Sequence, residues 1–149
     1  MAVECQGDVG VEASPALCFA AAAELEDWPE WARDLQRVEV VTRNPQGPAE
    51  RVRMVADLFG REFHAVVDFD LSGAPDVMRF TLVEAPKLTE LDGSFRFEPD
   101  SEGTRMSYRL RMVLAEPKGA RIDRMVSRKV DTALSRDLRR HIERNFARR

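Results

Sequence analysis

Acid–base chemistry in a pocket requires a side chain that donates or accepts a proton and points inward. When the alternating segments of this sequence are divided into two faces, the apolar face carries few polar residues: Thr42, Thr104, Tyr108 and, at the end of its segment, Glu84. His64 falls on the opposite face, and His141 flanks a helical apolar stripe. No serine–histidine–acid set and no pair of carboxylates converges on the apolar face. The candidate catalytic residues are therefore Tyr108 and Glu84.

Each candidate also has a purely structural interpretation. Tyr108 is the only tyrosine. It could orient a ligand carbonyl or hydroxyl, but a buried phenol also finds partners among neighbouring backbone or side-chain groups. Burial makes a carboxyl group a stronger base. Glu84 meets that condition only if it is buried, and the Ala85–Pro86 break directly after it favours exposure.

Both tryptophans of the chain, Trp28 and Trp31, lie in one short acidic segment, EDWPEWARD, residues 26–34. Side chains three residues apart on a helix lie on the same side of it. We expect Trp31 to anchor this segment in the core and Trp28, beside Pro29, to reach a cavity. The alternative is that both residues serve only in packing.

The composition is that of a soluble globular protein and points away from metal or disulfide chemistry. The chain has 149 residues, of which 44% are hydrophobic and 33% charged. This length fits one domain, residues 1–149, with a sizeable core. Two cysteines, Cys5 and Cys18, are too few for a disulfide scaffold, and with two histidines they lack zinc spacing. We expect reduced thiols, no metal and no cofactor.

The location predicted from the sequence is cytoplasmic. No apolar run approaches the ~20 residues that cross a bilayer. The segment ALCFAAAAELE, residues 16–26, resembles the apolar part of a signal peptide, but acidic residues precede it and the first basic residue is Arg33. A secretory signal needs a positive start, so export is not expected.

Charge is distributed unevenly along the chain. The net charge is −3, yet residues 1–32 carry seven acidic and no basic residues, and residues 120–149 carry ten basic and four acidic ones. A basic terminus raises the question of a nucleic-acid or anionic-membrane partner. The favoured interpretation is one amphipathic helix with a solvated basic face: Arg121, Arg124, Arg128, Lys129, Arg136, Arg139, Arg140 and Arg144.

Hydrophobic periodicity defines the elements that would position these residues. Ser14 and Pro15 predict a helix start, and Asp27 with Glu30 predict a second short helix over residues 27–35. A period of two predicts strands at residues 3–13, 37–43, 50–59, 61–71, 77–84, 88–97 and 104–114, with a turn in NPQGP between the second and third.

The last segment returns to a period of 3.6 and predicts a long helix over about residues 119–147. Its apolar stripe comprises Ile122, Met125, Val126, Val130, Ala133, Leu134, Leu138, Ile142 and Phe146. A helix with such a stripe needs an apolar surface to cover. The sequence therefore predicts an α+β fold in which a curved antiparallel sheet of about seven strands wraps around the long C-terminal helix, with two short helices after the first strand.

The order of these segments resembles a known family. SPALCFAAAAELEDWPEWARDLQRVEVV, with its Ser14–Pro15 helix start, Phe19 and the Trp28–Pro29–x–Trp31 corner, is similar to the opening of polyketide cyclase/dehydrase-like proteins of the START-like, helix-grip superfamily. VEAPKLTELDGSFRFEP and GTRMSYRLRM resemble the paired late strands of that family. The resemblance spans nearly the whole chain. It implies a deep apolar cavity between sheet and helix that holds lipids, quinones, polyketides or hormones, with cyclisation or dehydration in some members.

The expected cavity combines the inward strand positions with the tryptophans and the helix. Inward methionines suit lipophilic ligands of varied shape, although they could equally fill a core, and Gly93 either makes space or marks a bend. The predicted lining is Trp28, Trp31, Met54, Phe63, Val67, Phe69, Met78, Phe80, Leu91, Gly93, Phe95, Tyr108, Met112, Met125 and Val126.

Three functions follow as hypotheses. The first is a monomeric or homodimeric binding protein that holds or carries a polyketide, lipid or quinone-like molecule. The second, which rests on the family resemblance, is a polyketide cyclase/dehydratase that acts in the same cavity. The third is docking of the basic C-terminal helix on a nucleic acid, a membrane or an acidic partner.

Overall fold

A computed structural model of the protein describes residues 2–43, 49–58 and 60–145. Within these residues the chain forms seven strands: β1 (Ala2–Val11), β2 (Leu35–Arg43), β3 (Ala49–Leu58), β4 (Arg61–Asp70), β5 (Val77–Glu84), β6 (Leu88–Asp100) and β7 (Gly103–Leu114). All pairings are antiparallel, and the sheet order is β1-β7-β6-β5-β4-β3-β2. The predicted turn at residues 44–48 lies outside the described residues.

Two short helices follow β1, as expected. Helix α1 (Pro15–Ala23) begins at the predicted cap, where the Ser14 hydroxyl accepts a hydrogen bond from Leu17 N at 3.3 Å. This bond satisfies one of the backbone N–H groups that a helix leaves unpaired in its first turn.

The second helix differs from the prediction in type and in position. It is a 3₁₀ helix, Leu25–Glu30, and not an α-helix over residues 27–35. Asp27 is no cap, because its own backbone N–H donates to Glu24 O at 3.0 Å inside the first turn. Pro29 has no N–H to extend an α-helical pattern, and the chain enters β2 at Leu35.

The C-terminal helix consists of α2 (Ala120–Thr132), a π-helical turn (Ala133–Asp137) and α3 (Leu138–Asn145), which follow one another directly. Its buried apolar side chains, Val126, Leu134, Leu138 and Ile142, lie on the inner face of the sheet. Within the described residues, no helix combines the length and hydropathy needed to cross a membrane. Phe146, the last residue of the predicted stripe, lies outside the described residues.

The two faces of the sheet differ as the alternation predicts. The outer face carries ion pairs between neighbouring strands, such as Arg51 with Asp68 at 2.6 Å and Arg105 with Asp8 at 3.0 Å. The inner face carries fully buried side chains, among them Met78 and Phe95. Curved antiparallel sheet and long helix together form the predicted helix-grip fold.

Gly93 is required by close packing. A Cβ built on it would lie 2.3 Å from Phe80 Cζ and 2.7 Å from Arg109 O. Neither distance is sterically possible, and one of the two atoms belongs to the backbone. Gly93 therefore admits the Phe80 ring, which fills the space that a side chain at this position would occupy.

We expect Gly93→Ala to lower the free energy of unfolding by about 1–3 kcal/mol, the usual cost of overpacking, as measured by urea denaturation. Gly10→Ala is the matched control, because a Cβ there meets nothing within 4 Å. Equal stability of the two variants would contradict this account of Gly93.

Candidate functional site

The inner cavity lies between the C-terminal helix and the inner face of the sheet and has a volume of about 190 Å³. Strands β3, β4, β5, β6 and β7 form its walls, and the segment that joins the 3₁₀ helix to β2 closes one side. Its lining comprises Trp28, Trp31, Ala32, Asp34, Leu35, Met54, Ala56, Leu58, Phe63, Ala65, Val67, Phe69, Phe80, Leu88, Leu91, Leu110, Met112, Leu114, Lys129, Val130, Ala133 and Leu134.

The lining is almost wholly apolar. Among the described residues that form it, only Asp34 and Lys129 are charged. Their side chains pair across the cavity wall, with 3.6 Å between Lys129 Nζ and Asp34 Oδ1, and both are about two-fifths exposed. The ion pair therefore lies at an opening of the cavity and leaves its interior without charge.

An outer chamber of about 390 Å³ adjoins the inner cavity. The two share Leu58, Phe63 and Leu114, so these three side chains lie at the boundary between them. The remaining lining of the outer chamber comes from the start of β4, the β5–β6 loop, the segment after β7 and the start of α2: Arg61, Pro86, Lys87, Ala115, Glu116, Lys118, Ile122 and Val126.

Trp28 lies at the end of the inner cavity opposite the outer chamber and is held from several sides. Its Nε1 donates to Ala22 O at 2.8 Å, and its ring meets Phe69 edge-on at a centroid distance of 5.4 Å. Phe80 and Phe95 contact the same ring at 6.4 Å and 6.3 Å. Aromatic edge contacts of this kind each add about 0.5–1.5 kcal/mol beyond area burial.

Trp31 lies beside Trp28, with ring centroids 5.0 Å apart. It is 4% exposed, and no hydrogen-bond partner for its Nε1 occurs among the residues that the structure describes. Both tryptophans therefore pack in the core and also line the inner cavity, so the two roles considered from the sequence coexist.

The structure brings nine of the predicted lining residues together in the inner cavity: Trp28, Trp31, Met54, Phe63, Val67, Phe69, Phe80, Leu91 and Met112. Val126 lines the outer chamber instead. Met78, Gly93, Phe95 and Tyr108 line neither, because Trp28 and the helices cover that part of the sheet. Met125 is 38% exposed, because its side chain points away from the sheet whereas that of its neighbour Val126 points toward it.

Tyr108 points inward, but its hydroxyl is engaged by the C-terminal helix. It donates to Asp131 Oδ1 at 2.5 Å. Burial and this bond raise the pKa of Tyr108 to about 12. Gly7 makes room for the phenol, because a Cβ there would lie 2.6 Å from Tyr108 Oη. The side chain therefore joins helix to sheet instead of facing the cavity.

Strand alternation alone places Glu84 inward, but its side chain is exposed, as the Ala85–Pro86 break after it favours. Glu84 is exposed and pairs with Val66, whereas Leu82 pairs with the next residue, Val67. One residue of β4 is thus matched by two of β5, and the extra residue, Val83, inverts the phase of the strand. Glu84 consequently lines an outer groove with His64, whose outward position was expected.

Thirteen residues of the inner lining were not predicted, among them the charged Asp34 and Lys129, and Lys129 had been expected on the solvated face of the helix. Asp34 lies between the 3₁₀ helix and β2, where helical spacing gives no signal for the direction of a side chain. His141 lies at the flank of the helix stripe, and burial lowers its pKa. Within the described residues, no group of three or more histidine, cysteine or acidic side chains is arranged to hold a metal ion.

A sequence model of the family described as "Polyketide cyclase / dehydrase and lipid transport" matches residues 3–144. The chain belongs to this family. The match spans the whole sheet from β1 onward and nearly all of the C-terminal helix. No curated protein sequence matches the chain.

Solved structures share the fold of this member of the polyketide cyclase/dehydrase family. A START superfamily protein from Mycobacterium smegmatis is 15% identical with a TM-score of 0.75, and the alignment covers 97% of each chain. The Zhui aromatase/cyclase from Streptomyces sp. R1128 is 18% identical with a TM-score of 0.74, over 97% of this chain and 95% of that one. The protein TTHA0849 from Thermus thermophilus is 23% identical with a TM-score of 0.74, over 95% and 97%.

The phenol of Tyr108 can be titrated directly because it is the only one in the chain. We expect its phenolate absorbance in the folded protein to appear with a midpoint near pH 12. Asp131→Asn should lower this midpoint, because Asp131 favours the protonated phenol. Folding stability should fall as the pH rises from about 10, the pKa of an unfolded tyrosine, to about 12. A midpoint near 10 in the folded protein would contradict the Tyr108–Asp131 bond.

Proposed function

We propose that the protein binds or carries a hydrophobic small molecule, such as a polyketide, a lipid or a quinone-like compound, in the inner cavity. The observation that carries this proposal is the apolar lining, in which the charged pair Asp34–Lys129 stands at the edge. Transfer of apolar surface from water is favourable by about 25 cal/mol per Å². A pocket of this kind therefore binds flat or chain-like ligands without many polar contacts.

Size and access support the same proposal. Ligand pockets usually enclose about 300–1,000 Å³, and the inner cavity reaches that range only together with the outer chamber. The ligand would then lie with its apolar body against Trp31 and Met112 and extend past Phe63. The family description names lipid transport as well as cyclisation, which is consistent with carriage of such a molecule.

The proposed binding of nucleic acid or an anionic membrane by the basic helix face stays a prediction. Several of its cations are already paired, including Arg136 with Asp137 at 3.2 Å and Arg139 with Glu143 at 3.3 Å. These pairs reduce the positive charge offered to an anionic partner. A monomeric or homodimeric state and a cytoplasmic location likewise stay predictions.

Filling the inner cavity should weaken binding. We expect the neutral dye Nile red to bind the wild-type protein with increased emission and with a change in tryptophan fluorescence, because Trp28 and Trp31 line the cavity. Ala133→Phe places a ring in the cavity from the C-terminal helix and should weaken binding at least about tenfold, the equivalent of about 1.4 kcal/mol.

The matched control is Ala20→Phe, which adds the same ring at an exposed position of α1. It should bind Nile red as the wild type does. Native mass spectrometry of the purified protein should also detect a co-purified apolar molecule. Absence of Nile red binding by the wild type would refute the proposal.

A polyketide cyclase/dehydratase is the second candidate, and the Asp34–Lys129 pair favours it. A carboxylate accepts a proton and an ammonium group donates one, and both side chains line the cavity. Tyr108 and Glu84 are less suitable, because Tyr108 bonds Asp131 and Glu84 lies on the outer face. In this proposal Asp34 would act as the base and Lys129 would orient it.

If the protein is such an enzyme, Asp34→Asn should reduce turnover of an aromatic or poly-keto substrate by about a hundredfold or more, the usual contribution of a general base. Nile red affinity should stay unchanged. Glu84→Gln, on the outer face, serves as the control and should retain wild-type turnover. Turnover that survives Asp34→Asn would remove Asp34 from the reaction, and absence of turnover in the wild type would leave carriage as the function.

A further inference from the structure

The outer chamber differs from the inner cavity in its charge. Three cations, Arg61, Lys87 and Lys118, line it against one carboxylate, Glu116. Lys118 Nζ lies 3.5 Å from Glu116 Oε2, so these two charges largely offset each other. Arg61 and Lys87 have no carboxylate partner among the described residues. The chamber thus carries a net positive charge beside an apolar cavity.

Lys87 occupies a fixed position at the junction of the two spaces. Its Nζ donates to Glu62 O at 3.1 Å and lies 5.0 Å from the centroid of the Phe63 ring. Neither partner neutralises the ammonium group, and each restricts its position. Because Phe63 lines both spaces, the charge of Lys87 stands where the apolar lining ends.

A neutral hydrophobic ligand would gain nothing from these cations. A ligand with one anionic end would gain binding free energy from both of its parts. Its apolar body would be buried in the inner cavity, and its charge would meet Arg61 and Lys87. Carboxylic acids are ionised at neutral pH, and both an ammonium and a guanidinium group donate charge-assisted hydrogen bonds to a carboxylate.

We propose that Arg61 and Lys87 select amphipathic carboxylates, with the carboxylate in the outer chamber and the apolar body in the inner cavity. This inference rests on the proposed binding function and specifies its ligand class. A chain-shaped fatty acid and a fused-ring aromatic acid present the same carboxylate. The charge of the chamber selects the acid, whereas the shape of the inner cavity discriminates between the two bodies.

The test is displacement of Nile red by matched acids and esters. Dodecanoate should compete at least about fivefold better than methyl dodecanoate, the factor that corresponds to about 1 kcal/mol for a partly exposed ion pair. The preference should shrink as salt concentration rises, because salt screens exposed charges. 2-Naphthoate and its methyl ester form the second arm and show whether a ring or a chain is preferred.

The double variant Arg61→Gln, Lys87→Gln should lose the preference for the acid and keep its affinity for the ester. Arg124→Gln, at an exposed position of α2 outside both spaces, should keep the preference. The inference would be overturned if acid and ester competed equally in both arms, or if none of the four compounds competed. The proposed binding function would survive either result as long as the wild type binds Nile red. Loss of Nile red binding by the wild type would overturn both.

Discussion

The position of Trp28 is the constraint on which the shape of the interior depends. Its Nε1 bond to Ala22 O ties the 3₁₀ helix to the end of α1, and its ring contacts aromatic residues of β4, β5 and β6. One side chain thereby links three strands and two helices. Beneath Trp28 the side chains of Phe95 and Met78 are fully buried, and the inner cavity extends from Trp28 toward Met54 and Leu114.

The C-terminal helix covers the inner face of the sheet closely at β1 and β7 but not at β3 and β4, and the inner cavity lies where the cover is incomplete. Ser127 Oγ donates to Glu4 O at 3.0 Å, and Tyr108 donates to Asp131, so the helix is fastened to β1 and β7. On the side of β3 and β4 the apolar residues of the helix, including Val130, face the cavity instead. The Lys129–Asp34 ion pair spans this gap between the helix and the segment before β2.

The sequence was sufficient to predict the fold because alternation and helical periodicity report burial directly. It was not sufficient where a single residue changes the geometry. The extra residue Val83 in β5 turns Glu84 outward, and none of the residue types at this point predicts such a bulge. Inward residues of core and cavity are also chemically alike: Phe69 lines the cavity and Phe95 does not, because the placement of Trp28 and the C-terminal helix decides which inward positions are covered. In the same way, the hydrogen bond of Tyr108 depends on how the C-terminal helix is rotated about its axis, because this rotation decides whether Asp131 faces the phenol.

The inner cavity also determines how the protein should respond to compression. Unfolding under hydrostatic pressure is favoured by elimination of internal voids, so a chain with an internal cavity loses more volume on unfolding than a solidly packed one of the same length. A molecule that fills the cavity removes that volume difference and, by binding only the folded state, adds its own binding free energy. The resistance of this fold to pressure would therefore depend on any molecule bound in the cavity as well as on the sequence.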